Sequence, residues 1–107
     1  MIQIDGNKIK TSKGDTFDVT FRVNGYQIDS NDTIVFSVKD RFGNGKTLIS
    51  KTLTGITGTD INISISAEEM KLETGIKYYD ILLINSFGKF TLMYPAILEI
   101  VEVVHNE

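Results

Sequence analysis

Acid–base chemistry would have one histidine to draw on, His105, near the end of the sequence. It has no neighbour placed to tune its pKa, and a general base must be held in position. His105 therefore reads as a solvated tail residue. With no second histidine and no Gly-x-Ser-x-Gly elbow, the serines cannot be built into a nucleophilic triad. Paired carboxylates occur as Glu68-Glu69 and within Asp29–Asp32. The first pair falls at a capping-box sequence, Ser66-Ala67-Glu68-Glu69, where negative charge complements the first turn of a helix. The second set, Asp29, Asn31 and Asp32, offers oxygens of the kind calcium prefers. It lacks the EF-hand order, and turn formation explains the same residues. Gly55-Ile56-Thr57-Gly58 has neither the lysine nor the helix that a phosphate loop needs. Asn31-Asp32-Thr33 and Asn62-Ile63-Ser64 match a glycosylation acceptor pattern that matters only on a eukaryotic secretory route. Four tyrosines and no tryptophan leave a sugar-stacking platform open but unmarked. The residues therefore point away from an enzyme, and no metal or other cofactor is expected.

Composition narrows the classes further. A chain of 107 residues makes one domain, 1–107. Cysteine is absent, so disulfides and thiolate metal sites are excluded and the core alone must carry stability. The net charge is −3 and the eleven basic residues are scattered singly, which argues against a grip on nucleic acid. No window approaches the roughly 20 apolar residues that span a bilayer, and the opening Met1-Ile2-Gln3-Ile4-Asp5 does not read as an export leader.

The stretch that organises the rest is Gly75–Met93, which reads as a β-hairpin with turn chemistry at Asn85-Ser86-Phe87-Gly88. Elsewhere period-two alternation marks strands at 17–23, 33–39 and 61–65. Ile2, Ile4 and Ile9 flank a turn at Asp5-Gly6-Asn7, and Ser12–Asp15 is a second turn. Residues 46–53 read as an edge strand, because Lys51 shares a face with Ile49 and Leu53. Met70 and Leu72 follow the capping box, predicting a short helical turn near 67–73. Tyr94-Pro95 predicts a break, since proline lacks the ladder donor, with a last strand from Ala96 to Val104. Seven or eight antiparallel strands with turns every eight to twelve residues predict an all-β, immunoglobulin-like β-sandwich.

Two strands are greasier than a half-buried strand needs to be. In the hairpin, Tyr78, Leu82 and Ile84 alternate with Tyr79, Ile81 and Leu83, so one set fills the core and the other needs a loop or a partner over it. In the last strand Ile97, Val101 and Val103 repeat the surplus. Tyr79, Ile81, Leu83, Ile97, Val101 and Val103 are accordingly the candidate partner contacts.

Taken in order, Gly14-Asp15-Thr16 into Phe17–Val23, Ile34–Lys39, Ile63-Ser64-Ile65-Ser66, Leu72…Gly75…Tyr78-Tyr79-Asp80-Ile81, then Gly88 and Thr91-Leu92 form a pattern. It resembles small immunoglobulin-like structural proteins of tailed bacteriophages and prophages, in particular the N-terminal domain of phage baseplate upper proteins. The resemblance covers roughly Asp15 to Val103. It implies a non-enzymatic virion protein of tail or baseplate type, assembled in the bacterial cytoplasm, whose partners are copies of itself or other phage structural proteins. The sequence ends at Glu107 without the long C-terminal region of those proteins, so an accessory or connector role is expected. The alternative is a ligand-binding β-sandwich, such as a carbohydrate-binding or adhesin domain.

Overall fold

A computed structural model describes residues 2–41 and 45–102. Among the described residues there are eight strands: β1 (Gln3–Asp5), β2 (Lys8–Ser12), β3 (Phe17–Arg22), β4 (Thr33–Lys39), β5 (Thr47–Thr54), β6 (Asp60–Ile65), β7 (Gly75–Asn85) and β8 (Gly88–Val101). They form a six-stranded sheet in the order β1-β2-β8-β7-β4-β5 and a two-stranded sheet of β3 and β6. The result is a lopsided sandwich. The large sheet is mixed, because β2 runs parallel to β8, with Ile9 opposite Leu98 and Ser12 opposite Val101. An all-antiparallel arrangement is thus corrected by a pairing that joins two strands far apart in sequence.

The core lies between the sheets and follows from alternation. Phe17 and Val19 of β3 and Ile61, Ile63 and Ile65 of β6 meet Ile34, Phe36 and Val38 of β4. Phe36 is ringed by Phe17, Phe21 and Tyr79 at centroid separations of 5.9, 6.1 and 5.7 Å. Each such tilted pair adds about 0.5–1.5 kcal/mol beyond the area it buries. β5 is an edge, as its sequence indicates, and Lys51 points inward, where its Nζ lies 2.7 and 2.9 Å from the Glu69 carboxylate oxygens. An inward charge at an edge blocks further strand addition.

Two further expectations are corrected. No helix forms among the described residues; 67–70 is a run of hydrogen-bonded turns. Ser66 does cap it, accepting the Glu69 N–H at 3.2 Å, but the segment closes after Met70 N–H to Ser66 O at 3.1 Å, too short to propagate. Pro95 does not break the strand either. β8 continues through it, because two register shifts (Tyr79↔Ala96, then Ile81↔Met93, then Leu82↔Thr91) place Tyr94 and Pro95 in a bulge where no ladder donor is required. The β7–β8 turn keeps negative φ at Ser86 and Phe87 and leaves the positive φ, 137°, to Gly88.

Candidate interaction surfaces

The pairing decides which way each apolar side chain of β7 and β8 points. Tyr79, Ile81 and Leu83 are each 2% exposed and fill the core, so three of the candidate partner contacts are packing residues. Burial raises the Tyr79 hydroxyl to a pKa of about 12, and it donates to the carbonyl of Asn7, tying the β1–β2 turn down. Tyr78 stands opposite Ile97 while Tyr79 stands opposite Ala96, so Ile97 belongs with Tyr78 on the other face of the sheet. Val101 lies on that face as well. Val103 lies outside the described residues.

That second face is the outer surface of the large sheet. Register places Val35 and Thr33 of β4 beside Leu82 and Ile84 of β7, Ser37 beside Asp80, and Lys39 beside Tyr78. On β8, Ile97, Glu99 and Val101 continue it. Each of these side chains is half-exposed and none is buried, as expected when sheet neighbours flank a residue and no layer covers it. The apolar stripe runs along β7 in two lobes. One is Leu82, Ile84 and Val35; the other is Tyr78, Ile76, Ile97 and Val101. Between them sits Asp80, at the bulge. It lines a shallow cavity of about 220 Å³ with Ser37, Lys39, Arg41, Tyr78, Tyr79 and Pro95. Desolvation raises the Asp80 pKa, opposed by the nearby charge of Lys39. A carboxylate so placed is only partly compensated.

A second surface lies where the β7–β8 hairpin meets the segment between β3 and β4. Tyr26, Leu83, Phe87, Phe90 and Leu92, rimmed by Asp29, Asn31, Asp32, Asn85 and Ser86, line a cleft of about 850 Å³. Phe87 is 88% exposed at its mouth. Asp32, 3% exposed, holds the cleft together. Its Oδ2 accepts from the Asp29 N–H at 2.9 Å and the Tyr26 hydroxyl at 2.6 Å, and its Oδ1 from Asn85 Nδ2 at 3.1 Å. The Asp29 N–H, then the Tyr26 hydroxyl, against a desolvation that works the other way, and then Asn85, hold the carboxyl below its ordinary range. Asn85 also accepts the Phe87 N–H at 2.8 Å, which fixes the turn.

The residues singled out for other chemistry are used structurally. Asp29 Oδ1 accepts from the Asn31 N–H at 3.1 Å and from the Ser30 hydroxyl at 3.3 Å. With Asp32 spent on the cleft tie, this loop is a turn braced by its own side chains. Among the described residues no cluster of three or more histidine, aspartate or glutamate side chains is grouped to hold a metal ion. Glu69 is drawn to Lys51, which lowers its pKa, and Glu68 pairs with Lys71 at 3.0 Å. Gly58 forms a bridge with Ile28, its N–H donating to the Ile28 carbonyl at 3.1 Å. Asn62 donates across the small sheet to Asp18 at 2.8 Å and Thr20 at 3.0 Å. His105 lies outside the described residues, and no helix among those described is long and apolar enough to cross a membrane.

Sequence reasoning missed Asp80 and the cleft. Asp80 carried a signal, as the one charge in Tyr78-Tyr79-Asp80-Ile81-Leu82-Leu83-Ile84. The cleft carried none, because Tyr26 and Phe90 are distant in sequence. Comparison of the chain with family models, curated proteins and solved structures finds no match.

Proposed function

We propose that this chain is a non-enzymatic module that works through protein–protein contacts, and that its setting is a phage or prophage virion of tail or baseplate type. The observation that supports an interaction module is the uncovered apolar stripe on the large sheet, seven half-exposed or exposed apolar side chains around a partly compensated carboxylate. Contiguous apolar surface of this kind marks contact sites. The two-layer all-β architecture is compatible with an immunoglobulin-like sandwich, and the resemblance in Phe17–Val23, Ile34–Lys39 and Tyr78-Tyr79-Asp80 is what favours a virion setting. Gene neighbours and particle composition test it. Neighbours encoding portal, capsid or tail proteins, with the chain present in purified particles, support the reading; particles that lack the chain overturn the virion setting.

A second reading has one observation in its favour. The hairpin cleft of about 850 Å³ is of ligand-pocket size and presents Tyr26, Phe87 and Phe90 beside polar Asn31 and Asn85. That suits a glycan or another flat ligand. Saturable glycan binding that Phe87→Ser abolishes would promote this reading over the first.

A further inference from the structure

Taking the outer face of the large sheet as the contact surface just described, we propose that its occupant is a second copy of this chain, packed face to face about a two-fold axis. The axis lies between the two sheets, across the strands, and passes between the rows of Tyr78 and Asp80. Asp80 of each copy is then set against the Lys39 row of the other.

Three observations on this face carry the proposal. The first is charge. The polar centre of the stripe holds Asp80 on β7 and Lys39 on β4, offset by two residues in the ladder, since Ser37 pairs with Asp80 and Lys39 with Tyr78. A two-fold midway between those rows brings each Asp80 over the other copy's Tyr78 and Lys39 row, giving two equivalent ion pairs. The face is thus its own electrostatic complement, as an isologous interface requires.

The second is the disposition of apolar groups. The same rotation exchanges the two ends of β7. Leu82 falls opposite Ile76 of the other copy, and Ile84 falls opposite the Val101 end. Apolar meets apolar at Leu82 and Ile76 on β7, while on β8 the Val101 end falls opposite Lys89, with the sheets about 10 Å apart, as in an aligned sandwich.

The third is area. Six strands at about 4.8 Å spacing and about seven residues of about 3.4 Å each give a face of roughly 700 Å² in projection. Side-chain relief raises the accessible area toward the roughly 800 Å² per partner that stable interfaces bury.

Sedimentation velocity on the intact chain tests the pairing. The wild type should sediment as a dimer at micromolar concentration. Leu82→Lys buries an unpaired charge and should weaken association by roughly 100-fold. Thr20→Lys, on the outside of the small sheet, should leave it unchanged. Asp80→Lys and Lys39→Asp should each be monomeric alone, through like charges at the axis, and should form a heterodimer when mixed. Circular dichroism and melting of each variant separate lost association from lost fold. A wild type that stays monomeric to about 100 µM overturns the proposal. So does a dimer indifferent to Leu82→Lys, or a folded Asp80→Lys and Lys39→Asp pair that stays monomeric on mixing. Those results leave the contact-surface reading standing. That reading fails separately if Leu82→Lys, still folded, enters virions at wild-type levels.

Discussion

The sandwich has two outer surfaces, and they are built to opposite rules. Outside the small sheet, β3 and β6 present Asp18, Thr20, Arg22, Asp60, Asn62 and Ser64, polar throughout and all exposed. Arg22 and Asp60 lie 3.3 Å apart, and Asn62 bridges to Asp18 and Thr20. Outside the large sheet, β4, β7 and β8 present Val35, Tyr78, Leu82, Ile84, Ile97 and Val101. The two strands of the small sheet show that this chain encodes a fully solvated face by strict alternation. The large sheet departs from that pattern in its three central strands and keeps polar residues toward its margins, Ser50, Thr52 and Lys8 among them. The same strands also carry Ser37, Lys39, Asp80 and Glu99 on this face, so its apolar side chains stand in two lobes about a polar middle.

The sharpest way to test the contrast is to compare the two sides of one strand. Phe36→Ala should cost about 3–5 kcal/mol in chemical denaturation, while Val35→Ala, its neighbour on the outer side, should cost less than about 1 kcal/mol in the monomer. Similar costs would mean that the outer face is covered after all. Next in size, replacing Val35, Leu82 and Ile84 together by threonine should move monomer stability by no more than about 1 kcal/mol. The same triple change should abolish concentration-dependent association in light scattering. On the small sheet, Asn62→Ala removes two cross-strand hydrogen bonds and should cost about 0.5–1 kcal/mol by urea titration, with no change in association.

The smallest expected effect is at Asp80. Its folded pKa is raised above the ordinary 3.8, so the folded state binds the proton more tightly than the unfolded one. Ionised Asp80 therefore opposes folding at neutral pH, and the penalty disappears as pH falls through the raised pKa toward 3.8. Asp80→Asn in the monomeric background in which Val35, Leu82 and Ile84 are threonine should melt slightly higher than its parent at pH 7, and the gain should vanish in acid. A lower melting temperature at pH 7 would show that Lys39 outweighs burial.

Local signals in the sequence carried the strands well. Alternation bounded β4, matched the core of β3 and β6, and identified β5 as an edge from a single lysine. Turn chemistry placed the β7–β8 hairpin and the turn at Asp5-Gly6-Asn7, which joins β1 to β2. What the sequence did not carry is non-local. The direction each face of β7 takes was ambiguous because both are apolar, and only the pairings Tyr78↔Ile97 and Tyr79↔Ala96 resolve it. Pro95 is opaque for the same reason: a bulge is a property of two strands, and one strand's sequence does not show it. The helical turn failed from the other direction, since a cap with no length behind it does not nucleate. Of the candidate contacts, Ile97 and Val101 lie on the uncovered face, whereas Tyr79, Ile81 and Leu83 do not.

The parallel ladder between β2 and β8 has a mechanical consequence. The chain enters β2 at Lys8 and leaves β8 at Val101, and the two strands run side by side in the same direction. Tension applied through the segments before Lys8 and after Val101 pulls these strands past each other lengthwise. The cross-strand hydrogen bonds from Ile9–Leu98 to Ser12–Val101 are then loaded together, in shear, instead of opening one at a time as in a pulled hairpin tip. Single-molecule stretching from those two ends should meet a higher rupture force than stretching from the β7–β8 turn at Ser86 against the end before Lys8. Cutting the ladder with Thr11→Pro should erase the difference.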